Sequence, residues 1–133
     1  MSEIIVFTNG CFDLLHPGHI KLLKEARSLG DCLYVGINSD DSVRRLKGQS
    51  RPFYNQNERR EILASLRFVS GVIIFDEDTP ELLIRRLRPN ILVKGGDYKP
   101  EDVIGAQYAK KVVIIPLLKE YSTTEIIRRI KNV

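Results

Sequence analysis

Short β-branched runs alternate along the chain with stretches in which apolar residues recur every three or four positions. The runs Ile4–Thr8, Cys32–Ile37, Gly71–Phe75, Ile91–Val93 and Val112–Ile115 read as strands. They are nearly continuous rather than alternating, the pattern of strands covered on both faces. Between them, Leu22, Leu23, Ala26 and Leu29 predict a helix over Pro17–Leu29, with Gly30 fitting its C-cap. Asp40–Leu46 predicts a short helix, and Lys47–Gln56 a polar loop. Asn57–Leu66 predicts a longer helix with Ile62, Leu63 and Leu66 on one face. Thr79-Pro80-Glu81 marks a further helix start, which must end before Pro89. A short helix is expected within Val103–Lys110. Ser122-Thr123-Thr124-Glu125 has the form of a capping box and opens a last helix with Ile126, Ile127 and Ile130 inward.

This alternation predicts the α/β class: a single Rossmann-like domain over residues 1–133, a five-stranded parallel sheet with helices on both faces. Right-handed crossovers put every strand-to-helix turn at the carboxyl edge of the sheet. Residues 9–19, 38–41, 76–79, 94–100 and 117–122 meet there. No repeat, low-complexity tract or linker interrupts the pattern.

Composition narrows the function. The chain is 43% hydrophobic and 29% charged, ordinary for a globular protein. No segment approaches the ~20 apolar residues that span a bilayer. Met1-Ser2-Glu3 leads directly into Ile4-Ile5-Val6-Phe7 without a basic leader region. The expectation is a cytoplasmic protein without membrane contact. Cys11 and Cys32 lack metal-like spacing and read as reduced thiols. The net charge is +4, but the basic residues are dispersed among acids and form no basic-aromatic ladder. That argues against a nucleic-acid partner; phosphorylated small molecules would use the same positive balance.

The chemistry concentrates after the first strand. The chain has 2 histidines, both in His16-Pro17-Gly18-His19. The first strand-to-helix turn is where open α/β sheets bind nucleotides, yet neither common glycine-rich phosphate motif is present. Three readings are open. The histidines could decorate a surface; Asp13, His16 and His19 could form a metal site; or the imidazoles could donate to a phosphate under attack at a helix N-terminus. The last is preferred, with Gly18 letting the phosphate approach the backbone.

Thr8-Asn9-Gly10-Cys11-Phe12-Asp13-Leu14-Leu15-His16-Pro17-Gly18-His19 resembles the H-x-G-H motif of the cytidylyltransferase-like nucleotidyltransferases. Leu92-Val93-Lys94-Gly95-Gly96-Asp97-Tyr98-Lys99-Pro100-Glu101, Arg45–Pro52 and Tyr121-Ser122-Thr123-Thr124 narrow the likeness. Together they resemble the D-glycero-D-manno-heptose 1-phosphate adenylyltransferases of ADP-heptose synthesis. Glycerol-3-phosphate cytidylyltransferases carry an arginine in the last motif; Leu117-Leu118-Lys119-Glu120-Tyr121 lacks it. Many heptose enzymes are fused to a sugar kinase, so the likeness here is to the stand-alone version.

The resemblance implies transfer of AMP from ATP, with Mg²⁺, to heptose 1-phosphate, in a homodimer serving lipopolysaccharide synthesis. It implies catalytic roles for His16, His19 and the loop lysine Lys47. Asn9, Gly10, Cys11 and Phe12 would lie against the nucleotide, and Gly18 beside its phosphates. Asp13 would assist Mg²⁺ or orient the turn, and Arg59 matches an arginine of the family. Lys94, Gly95, Gly96 and Asp97 would form a turn at the sheet edge, with Asp97 on ribose or sugar hydroxyls. Tyr121, Ser122 and Thr123 would bring the last helix to the β- and γ-phosphates. No residue is assigned as a metal ligand. The alternatives are a glycerol-3-phosphate cytidylyltransferase and a nucleotide-binding module without catalysis.

Overall fold

The computed structural model describes residues 2–133. Met1, where the sequence reading starts the domain, lies outside the described residues. The elements in chain order are β1 (Ile5–Gly10), α1 (Pro17–Ser28), β2 (Cys32–Asn38), α2 (Asp40–Lys47) and α3 (Gln56–Ala64). They continue as β3 (Gly71–Phe75), α4 (Glu81–Leu87), β4 (Ile91–Gly95), β5 (Lys111–Ile115) and α5 (Thr123–Lys131). All strand pairs are parallel, and the sheet order is β3-β2-β1-β4-β5. The order reverses beside β1, so the crevice outside β1 and β4 is the topological switch point.

Strand alternation divides the core between two faces. Val6, Leu33, Val35 and Val93 pack with Leu22, Leu23 and Ala26 of α1 and Leu63 of α3. Phe7 and Leu92 point the other way and meet Ile84 of α4 and Val103. Helices thus cover both faces, as the uninterrupted apolar strands require.

Several boundaries differ from the sequence reading. β1 continues through Asn9 and Gly10, which pair with Gly36 and Ile37 and so belong to the strand rather than the turn. β4 likewise includes Lys94 and Gly95. Leu29, not Gly30, caps α1. Gly30 is needed because a Cβ there would lie 2.7 Å from the Ile4 carbonyl oxygen and Val6 Cγ2. α3 starts at Gln56 because Asn55 caps it and exchanges bonds with Glu58. Its Ile62 is exposed, and the buried positions are Arg59 and Leu63. The segment 103–110 is not an α-helix: short 3₁₀ turns at Pro100–Asp102 and Ala106–Tyr108 replace it. Ser122 accepts from the Glu125 N–H at 3.0 Å, but the Glu125 carboxylate turns to Arg128 and Arg129 instead of completing the capping box. No residue of α5 is buried, and Ile130 is 61% exposed rather than inward.

Candidate active site

The turn from β1 into α1 is held from several sides. Phe12 (φ 50°) and Leu14 (φ 53°) adopt left-handed backbone conformations, which bulky residues take only when surrounding contacts impose them. Asp13, 4% exposed, supplies such a contact. Its two carboxylate oxygens accept the N–H groups of Phe53 (2.7 Å) and Tyr54 (3.0 Å), fastening the 48–55 loop to the turn. Its carbonyl accepts the Thr123 hydroxyl at 2.9 Å, which ties in the start of α5. Asp13 therefore orients the turn, with one backbone N–H on each carboxylate oxygen.

Beneath the turn lies Arg59, 1% exposed. Its guanidinium donates to the carbonyls of Tyr54, Cys11 and Asn38 at 2.8–2.9 Å and pairs with Asp40 at 3.0 Å. Arg59 thus ties the turn after β1, the end of β2, α2 and the 48–55 loop together, and it is not in the walls of the cavity described below. Asn38 extends the network, donating to the Ser42 hydroxyl, which donates to the Glu77 carbonyl. The Cys11 thiol donates to Asn38 Oδ1 at 3.7 Å. Burial pushes the Cys11 thiol up from its ordinary pKa, partly offset by the charges of Lys47 and Arg59. Burial thus favours the protonated thiol over the reactive thiolate.

The histidines are part of the helix start. The Gly18 N–H donates to His16 Nδ1 at 3.1 Å, and the His16 N–H donates to His19 Nδ1 at 3.2 Å. This is a capping box built from imidazoles. Each Nδ1 accepts a backbone proton, so each neutral ring must carry its own proton on Nε2. The rings stack, with centroids 3.7 Å apart, between Phe12 on the His19 side (5.1 Å) and Tyr121 on the His16 side (6.1 Å). Burial, reinforced by the neighbouring His16, holds His19 down at about 3; burial also lowers His16. Both are neutral Nε2–H donors at pH 7. This geometry does not suit the Asp13, His16, His19 metal triad, because both lone-pair nitrogens are taken by backbone N–H groups, and among the described residues no 3 or more His, Cys, Asp or Glu are grouped to hold a metal. A Cβ on Gly18 would lie 2.9 Å from His16 Cε1 and 3.3 Å from Tyr121 Cβ, so the glycine makes room for the stack itself.

Both imidazoles line a cavity of about 240 Å³ at the carboxyl edge. Its floor is Asn9, Gly10, Cys11 and Phe12; Gly18 borders α1, Lys94 and Gly95 end β4, and Tyr121, Ser122 and Thr123 lead into α5. The starts of α1 and α5 thus converge on one space: at α1, where Pro17 has no N–H and the Gly18 N–H is taken by His16, the imidazoles line it, and at α5 the first-turn N–H groups suit anionic oxygens. Asp13, Lys47, Arg59, Gly96 and Asp97 are not in its walls. Lys47 is exposed at the end of α2, although its charge reaches Cys11. Asp97 is exposed beyond the strand end. Sequence reasoning missed the apolar wall of Leu22, Leu117 and Leu118. Leu22 sits on the helix face already read as core; Leu117 and Leu118 follow β5 at the expected edge, where their type suggested only packing.

A parallel sheet with its switch point at β1 and two helix starts facing one cavity there define an α/β fold of the kind that binds nucleotides at this edge. The chain belongs to the Cytidylyltransferase-like family, whose model matches residues 7–129. It is 55% identical over 128 residues to the "Bifunctional protein HldE" of Campylobacter concisus, covering 96% of this chain and 27% of that protein. Identity to the protein of the same name from Syntrophotalea carbinolica is 58% over 133 residues, covering 97% of this chain and 27% of that one. The chain spans about 27% of the length of these curated relatives. Among solved structures, a lipopolysaccharide core biosynthesis protein from Thermoplasma volcanium GSS1 superposes with a TM-score of 0.73 at 29% identity, covering 91% of this chain and 100% of that one. A pantoate-beta-alanine ligase from Francisella tularensis shares the fold alone, at 20% identity and a TM-score of 0.56, over 98% of this chain and 71% of that one. Among the described residues, no helix is long and apolar enough to cross a membrane.

Proposed function

We propose that the chain is a nucleotidyltransferase that moves AMP from ATP to D-glycero-D-manno-heptose 1-phosphate, releasing pyrophosphate and ADP-heptose. One observation carries the chemical part: two neutral imidazoles, fixed by the backbone as Nε2–H donors, line a cavity between two helix N-termini. The adenine and heptose parts rest on the motif set around Lys94–Glu101 and Tyr121–Thr124 and on the relatives' names.

An oxygen of the sugar phosphate attacks the α-phosphorus, and the bond from that phosphorus to the β-phosphate oxygen breaks. Pyrophosphate leaves with the electron pair. A phosphate monoester has its second pKa around 6, so at neutral pH the nucleophile needs no general base. The chain contributes position and charge. His16 and His19 donate to oxygens of the reacting phosphates, the amides opening α5 hold the departing phosphates, and Lys94 balances charge on the acceptor side of the α-phosphate, with Lys47 reaching in from the end of α2 outside the cavity walls.

Mg²⁺ fits as part of the substrate. Asp13 is engaged by backbone N–H groups, and among the described residues no group of 3 or more His, Cys, Asp or Glu is arranged to hold a metal. The ion would enter as MgATP on phosphate and water oxygens, as Mg²⁺ commonly does. The reading includes a homodimer in the cytoplasm. A matrix of ATP and CTP against heptose 1-phosphate and glycerol 3-phosphate tests it by pyrophosphate release. Turnover with ATP and heptose 1-phosphate is expected; turnover confined to CTP and glycerol 3-phosphate would replace this reading with the cytidylyltransferase one. ATP binding without turnover on either acceptor would leave a binding module.

A further inference from the structure

Next to the phosphate cavity lies a smaller chamber of about 150 Å³, on the face of the sheet covered by α4. Its walls include Pro80, Tyr98, Asp102 and Ile104, and it shares Asn9 and Lys94 with the phosphate cavity. These two residues end β1 and β4 side by side at the switch point and form the junction between the chambers. Among the described residues the Lys94 ammonium has no ion-pair or hydrogen-bond partner, and neither has the Asn9 amide. Lys94 Nζ instead sits 5.1 Å from the centre of the Tyr98 ring. An unneutralised cation and a free amide at a junction suit an anion held between the chambers.

The far wall is shaped before any ligand arrives. Val103 is buried, and the chain beyond it turns through Gly105 at φ +90°, where a Cβ would lie 2.7 Å from Ile84 Cδ1. Against this support Tyr98 is 49% exposed, and the exposed Asp102 carboxylate makes no ion pair among the described residues. An aromatic face with a carboxylate beside it matches the C–H face and hydroxyl rim of a sugar ring. Displacement at phosphorus also requires the nucleophile and the leaving group on opposite sides of the reacting atom. A triphosphate held by the imidazoles and the N-terminus of α5 would occupy the first chamber and leave the second for the nucleophile.

We infer that this second chamber is the acceptor subsite: it takes the sugar of a sugar 1-phosphate, with Tyr98 and Asp102 selecting the ring and Lys94 and Asn9 holding its phosphate at the junction. The inference rests on the activity proposed above. Tyr98→Ala and Asp102→Asn test it, because both side chains are exposed and their loss leaves the core intact. The KM for D-glycero-D-manno-heptose 1-phosphate should rise about tenfold or more, while the KM for ATP stays within about threefold of the parent. Equal rises in both KM values, or no change in either, would overturn the assignment. Amide NMR of the parent titrated with heptose 1-phosphate alone separates the two ideas if the parent shows no turnover. Shifts at Tyr98–Ile104 that vanish in the variants support the subsite even then; shifts confined to the α1 and α5 N-termini, or no shifts at millimolar ligand, reject it.

Discussion

The two helix starts that face the phosphate cavity are built in opposite ways. At α1, the turn carries strained backbone at Phe12 and Leu14, a buried carboxylate with both oxygens engaged, a buried guanidinium beneath and reciprocal imidazole caps. At α5, the helix has no buried residue, its cap is a single serine hydroxyl, and its tether to the turn is the Thr123 hydroxyl on the Asp13 carbonyl. On the proposed reading, the imidazoles that would stabilise charge in the transition state sit on the rigid side, where pre-organisation avoids reorganisation during reaction. The amides that would hold the departing pyrophosphate on that reading sit on the looser side, from which release would be easier.

Removing the support under α1 should have the largest effect. Arg59→Met strands Asp40 and three carbonyls and should cost ~3–5 kcal/mol in denaturant unfolding. Arg129→Met on α5, whose guanidinium is largely exposed, should cost no more than ~1 kcal/mol. Similar costs at the two positions would erase the contrast.

The imidazoles come next. His16→Asn and His19→Gln keep a capping acceptor but remove the ring Nε2–H. Each should retain its melting temperature within a few degrees and lose ~10²–10³ in kcat, about 2.7–4 kcal/mol, with ATP affinity little changed. The double variant should lose less than the product of the single losses. Parental kcat in both single variants would reduce the histidines to helix caps. The same residues set a pH dependence. The unfolded chain binds protons on them near the ordinary value of 6.5, whereas the folded chain keeps His16 lower and His19 at about 3. Their contribution to stability is therefore complete above pH 6.5 and declines as pH falls towards 3. Melting temperature against pH should fall less steeply in His19→Gln.

Gly18→Ala should be smaller, ~1–3 kcal/mol of overpacking, with a loss of kcat as the His16 ring is pushed aside. Smallest is Ser122→Ala, which removes the α5 cap for ~1 kcal/mol. Hydrogen exchange should quicken in the first turn of α5 and stay unchanged in α1.

The sequence reveals the sheet and most of its edge because uninterrupted β-branched runs and right-handed crossovers leave few arrangements. It places His16, His19, Asn9–Phe12, Lys94, Gly95 and Tyr121–Thr123 together by topology alone, and the structure gathers them around one cavity. What stays hidden depends on side-chain direction. A lone arginine on a polar helix reads as surface, and only the fold shows Arg59 turned inward onto carbonyls contributed by distant segments. The capping role of the histidines is hidden for a related reason. Helix-start signals are written in hydroxyls, amides and carboxylates, and an imidazole in that position reads as chemistry. α5 fails in the other direction: its amphipathic spacing promised a buried face, but none of its residues is buried and none joins either core cluster.

The most direct test is proton–nitrogen correlation NMR of the two imidazoles in the folded chain. At pH 7 both rings should show protonated Nε2 and unprotonated Nδ1, and His19 should remain neutral as pH is lowered well past 6.5. Rings protonated on Nδ1, or a His19 that titrates near 6.5, would contradict the claim that the start of α1 fixes these side chains as neutral donors to phosphate.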